Sequence, residues 1–105
     1  AWIHHNLGKI LARMGKTTEA IVSQQRAIEL QPDLCWAYYS LGSIFFQQGN
    51  LDEALAAFYQ AIQLQPGVAA FHKSLAEVLS SLERNSEAAK AYFEAGEKFF
   101  DFIPN

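Results

Sequence analysis

Cysteine is almost missing from this chain of 105 residues: Cys35 stands alone, so no internal disulfide can form. That economy fits a reducing compartment, and a cytoplasmic location is expected. Cys35 follows Pro32-Asp33 at the start of a helix and reads as a small apolar packing residue. A nucleophile would need a His or an acid in reach, and none stands in a recognisable register. Basic residues are also in short supply, 8 against 11 acidic, giving a formal charge of −3. This speaks against nucleic acid as a partner, because phosphate binding calls for a clustered basic face. No apolar run nears the roughly 20 residues that span a bilayer, and no charged-then-apolar leader opens the chain. Walker, HExxH, GxSxG and paired-cysteine motifs are all lacking, so no enzyme and no cofactor is expected. His4 and His5 are adjacent, point about 100° apart on a helix and cannot chelate one ion together.

Half of the residues are apolar, enough to bury the core of one domain. They are arranged as a sentence repeated with an offset of 34 residues. Leu7-Gly8, Leu11, Gly15, Ala20, Ala27 and Pro32 return as Leu41-Gly42, Phe45, Gly49, Ala54, Ala61 and Pro66. A fainter third copy holds Leu75-Ala76, Leu79, Ala88 and Ala95. A fixed period of this size marks stacked supersecondary units. Apolar spacing is helical throughout, which predicts helices near 2–14, 18–31, 35–48, 52–65, 69–82 and 86–99. Gly15 and Gly49 supply the left-handed residue that ends a helix, and Pro32 and Pro66 separate one unit from the next. Asn50 with Glu53 has the spacing of a capping box. Such short loops make consecutive helices antiparallel, and the expected fold is all-α, an α-solenoid of three helix-turn-helix hairpins over 1–34, 35–68 and 69–102 within one domain, 1–105.

Small residues allow the hairpins to close: Gly8 with Ala20, Gly42 with Ala54, Ala76 with Ala88. Ala27, Ala61 and Ala95 make room for the next unit. Leu7, Leu11, Ile21 and Ile28 are expected to fill the first unit, and Tyr38, Leu41, Phe45, Phe58 and Ile62 the second.

This pattern of Leu-Gly, a large apolar residue one turn on, Gly, Ala, aromatic, Ala and terminal Pro resembles the tetratricopeptide repeat. The second unit agrees in type throughout. The first departs at His4 and Gln24, where aromatics are usual; the third departs at Glu83, Gly96 and Phe100. The resemblance implies a right-handed superhelix whose first helices line a concave groove holding a peptide or a partner helix. The chain opens on Ala1, already inside a repeat, and is expected to be a piece of a longer protein.

Helical phase leaves one face of each first helix free for a ligand. In the first unit this face offers Trp2, His5, Asn6, Lys9 and Arg13; in the second Trp36, Tyr39, Ser43 and Gln47; in the third Lys73 and Glu77. Trp36, Tyr39 and Phe46 are either groove contacts or rings packed between neighbouring first helices. Lys9 and Arg13, one turn apart, form a basic spot suited to a carboxylate. His72 shares the repeat position of His4 and Tyr38 and is expected to pack or hydrogen-bond.

Chaperone-binding members of the family hold a terminal carboxylate with Lys and Asn side chains. The matching positions here are His5, Lys9, Ser40, Ala70 and Ser74, which do not make such a clamp. Asn6-Leu7-Gly8 is similar to the repeats of sugar-transferring enzymes with an asparagine ladder, although Ser40 and Ser74 occupy the next rungs. The leading reading is a non-enzymatic protein-interaction module with a protein or peptide partner. The alternative is the substrate-positioning arm of a larger transferase. The aromatic run Phe99-Phe100-Asp101-Phe102-Ile103 either caps the third unit or joins a following element, and self-association through that end is a further possibility.

Overall fold

Glycine and proline divide the apolar helical pattern into lengths of three to four turns, and helices of that length appear. The computed structural model describes residues 1–82. Its helices are α1 (Trp2–Arg13), α2 (Thr17–Leu30), α3 (Cys35–Gln48), α4 (Leu51–Leu64) and α5 (Ala69–Ser81), within a residue or so of the spacing-derived bounds. The expected sixth helix, the partners Ala88 and Ala95, and the aromatic tail lie outside the described residues. α1 packs on α2 and α3 on α4 as hairpins, the two hairpins meet through α2 and α3, and α5 lies against α4. Among the described residues no strand occurs, and no helix is long and apolar enough to cross a membrane.

The turns inside the two hairpins are copies of each other. Gly15 and Gly49 adopt φ of +80° and +83°, the left-handed region that a side chain resists. After each, the chain closes with the same long bond: Lys16 N–H to the Leu11 carbonyl and Asn50 N–H to the Phe45 carbonyl, both 2.9 Å. This six-to-one bond satisfies a carbonyl that the helix end would leave bare. The capping box expected at Asn50 does not form. Its side chain makes no bond to the first turn of α4 and instead donates to Gln48 Oε1 at 3.2 Å. α4 is left with Asp52 and Glu53 in its first turn, where carboxylates favour the positive end of the helix.

Ala20, Ala27, Ala54 and Ala61 are all fully buried, as the small-residue pattern requires. Gly8 and Gly42, however, make room chiefly for residues one turn beyond Ala20 and Ala54. A Cβ on Gly8 would stand 2.7 Å from Gln24 Nε2, and one on Gly42 2.6 Å from Phe58 Cε1. The main core joins Ala54 and Phe58 of α4 to Leu75, Ala76, Val78 and Leu79 of α5; a smaller one joins Ala27 to Leu34 and Ala37. Leu7 does not fill the first unit: it is exposed, because no helix of the described residues lies over that face of α1. Leu41 and Phe58 are buried as expected, whereas Leu11, Ile21, Ile28, Tyr38, Phe45 and Ile62 are half-buried.

Candidate binding groove and its flanking polar pair

The first helices of successive hairpins run side by side, and the side chains between them border two adjoining recesses. The recess between α1 and α3 is bordered by Lys9, Ala12 and Arg13 on one wall and Tyr39, Ser40, Ser43, Ile44 and Gln47 on the other, with Gln24 at its base. The next, between α3 and α5, reuses Tyr39, Ser43 and Gln47 and adds Phe46, Phe58, Ser74 and Glu77. Both are open and shallow, at about 150 and 230 Å³, smaller than a site built to enclose a drug-sized ligand. Together they make a strip whose cationic end is Lys9 with Arg13 and whose anionic end is Glu77. Among the described residues neither Lys9 nor Arg13 has an ion-pair partner; the pair that forms, Arg26 with Glu29 at 3.4 Å, lies on exposed α2 surface.

Of the residues singled out in the sequence, Lys9, Arg13, Tyr39, Ser43, Gln47 and Glu77 border the strip. Trp2, Asn6, Trp36 and Lys73 are exposed but do not border it. His5 requires correction: it is buried, not presented to solvent. Its Nδ1 lies 2.9 Å from Gln24 Oε1, and Gln24 Nε2 donates to the His5 carbonyl at 3.0 Å. The two bonds close a polar pair between α1 and α2 and fix Nδ1–H as the donor to the amide oxygen. Among the described residues no buried side-chain polar atom lacks a partner, so this pair satisfies what it buries. Gln24 carried the signal that could have located it: a long amide in an aromatic slot needs a polar neighbour, and His5 is the nearest candidate across the hairpin.

The rings of the second unit are shared between groove and core. Tyr39 packs against Phe58 at 5.8 Å and Phe71 at 5.2 Å, and Trp36 meets Phe71 edge-on at 4.9 Å. Phe71 is wholly buried and was not among the residues singled out. Tyr39 therefore serves both readings the sequence allowed: one side borders the strip and the other seals α3 to α5. Ser43 donates its hydroxyl to the Tyr39 carbonyl at 3.1 Å, which leaves the oxygen free to accept. His72 is buried with Nε2 2.8 Å from the Pro66 carbonyl, the hydrogen-bonding role expected of it. No group of three or more His, Cys, Asp or Glu side chains among the described residues could hold a metal ion.

Comparison with known proteins supplies the rest. One tetratricopeptide repeat family model matches residues 1–67 and a second matches residues 39–101. Among curated proteins none matches the sequence. Among solved structures, one crystal structure of MamA is 28% identical at a TM-score of 0.90, covering 93% of this chain and 57% of that one. A second MamA structure is 29% identical at 0.86, covering 90% and 52%. The chain thus spans a little over half the length of those MamA chains. The first repeat domain of Spaghetti (RPAP3), bound to the HSP90 peptide SRMEEVD, shares the fold at 18% identity and a TM-score of 0.89, covering 92% and 77%.

Proposed function

The chain belongs to the tetratricopeptide repeat family, and from that premise we propose that it is a non-enzymatic binding module holding an extended peptide along the strip between α1, α3 and α5. The carrying observation is the strip itself, lined at one end by Lys9 and Arg13, which have no ion-pair partner among the described residues, and along its length by Tyr39, Ser43, Gln47 and Ser74. Hydroxyl and amide groups at that spacing suit a peptide backbone, which offers a donor and an acceptor at nearly every residue. Cations at one end select a peptide that enters with its acidic portion there, and electrostatic complementarity contributes to orientation and on-rate.

The RPAP3 domain with its bound peptide supports the architecture of this reading and not its ligand, since the likeness at 18% identity is one of fold. A terminal-carboxylate clamp is not part of the proposal: His5 is committed to Gln24, and Ser40, Ala70 and Ser74 carry no charge. The transferase-arm reading draws less support, because Asn6 lies outside the strip and Ser40 and Ser74 border it in place of amides. Fluorescence anisotropy with a labelled peptide acidic at one end tests the proposal against the double variant Lys9→Glu/Arg13→Glu. Both residues are exposed, so the helical circular-dichroism signal should hold while affinity falls by about 10-fold or more. Equal binding by the variant would remove the groove from the proposal.

A further inference from the structure

The recess between α3 and α5 is opposite in charge to its neighbour between α1 and α3. Helical phase assembles it: Tyr39, Ser43, Phe46 and Gln47 stand at i, i+4, i+7 and i+8 on one stripe of α3, facing Ser74 and Glu77 at i and i+3 on α5. Its one charged side chain is Glu77; no Lys or Arg of the described residues borders it. Lys73 stands one turn away on the same helix, yet Glu77 makes no ion pair among the described residues. The rings of Tyr39 and Phe46 are half-buried and packed against the α4 and α5 core, which holds them in place. The Ser43 hydroxyl proton is committed to the Tyr39 carbonyl, so toward a ligand that oxygen can only accept. The recess therefore combines fixed aromatic surface with an anion and an acceptor.

We propose, resting on the strip reading above, that this recess takes an arginine side chain of the bound peptide. A guanidinium is planar, stacks on aromatic rings and gives up its water more readily than an ammonium. Its fork of donors matches the Glu77 carboxylate and leaves a further N–H for the Ser43 oxygen. An acidic side chain would meet Glu77 with no cation on either wall, and an apolar one would cover the carboxylate without pairing it. In the cationic recess the preference reverses, because Lys9 and Arg13 stand there with no acid on the walls. The two recesses share Tyr39, Ser43 and Gln47, so one ligand can fill both. Packed helices lie about 8–10 Å apart and an extended chain advances about 3.3 Å per residue, so the arginine stands about three residues from the acidic group. The peptide is thus dipolar, with its acid toward α1 and its arginine toward α5.

The test uses two labelled peptides that carry a glutamate three places from either arginine or citrulline, which has the same shape without the charge. Each is made in both chain orders, and the tighter order is used. By fluorescence anisotropy the arginine peptide should bind about 5-fold more tightly than the citrulline peptide. Glu77→Gln should erase that difference and leave the citrulline peptide unchanged; Glu77 is exposed, so the helical circular-dichroism signal should hold. Lys9→Glu/Arg13→Glu should weaken both peptides and keep their ratio. Equal binding of the two peptides, with the double variant still weakened, overturns the arginine pocket and leaves the strip. An arginine preference that survives Glu77→Gln also overturns it, since another group would then be reading the charge. Indifference of both peptides to the double variant, or no binding of either, removes the strip and the pocket with it.

Discussion

Where the two helices of a hairpin come closest, α1 meets α2 through Gly8 and Gln24, whereas α3 meets α4 through Gly42 and Phe58. The backbone at the two places is the same, down to the left-handed glycine and the long closing bond of the turn. The filling is opposite in kind. Phe58 needs only volume, and it takes that from the missing side chain of Gly42 and the faces of Tyr39 and the α5 core. Gln24 brings a donor and an acceptor into the same fully buried slot, and only His5 makes this tolerable. A repeat position therefore specifies a space and not a chemistry, and a polar residue can occupy it when the facing helix changes with it.

The comparison breaks most sharply at the ring. Phe58→Ala should cost about 3–5 kcal/mol, a large share of a domain's total stability, and chemical denaturation would record it as a fall in midpoint. Next comes the amide: Gln24→Leu strands the His5 ring nitrogen and should cost about 1–3 kcal/mol. The double variant His5→Leu/Gln24→Leu should recover part of that loss. A double-mutant cycle with zero coupling would show that the pair does not act as a unit. Smaller is the difference between the glycines. Gly42→Ala should be worse than Gly8→Ala by about 1 kcal/mol, because the added methyl meets a pinned ring in one and the end of a flexible amide in the other. The smallest change belongs to the turn: Asn50→Ala should shift stability by less than about 0.5 kcal/mol, since its side chain caps nothing. A loss near 1 kcal/mol would restore the capping box.

The period, the helix bounds and the buried alanines were legible because each follows from local chemistry: helical spacing, left-handed glycine, proline stops. What escaped depends on a third element. His5 and Tyr39 occupy the same repeat position and look alike in phase, yet one is sealed by Gln24 and the other by Phe58 and Phe71. Helical phase says which side a residue faces, not what lies across from it. Leu7 shows the reverse error: its pattern is that of a core residue, yet it is exposed because none of the described helices lies over it. Of the groove, the basic spot and the polar wall were readable as residue types, and their meeting in one strip required the stack.

Tyr39 belongs at once to the wall of the strip and to the seam between α3 and α5. A side chain with that double duty ties the shape of the strip to the pitch of the solenoid. Any rotation of α5 against α3 drags the ring with it, and the span from Lys9 to Glu77 changes accordingly. An occupant that wedges against the ring would in turn stiffen the stack, so a ligand would register as mechanical tension in the array as well as contact along it.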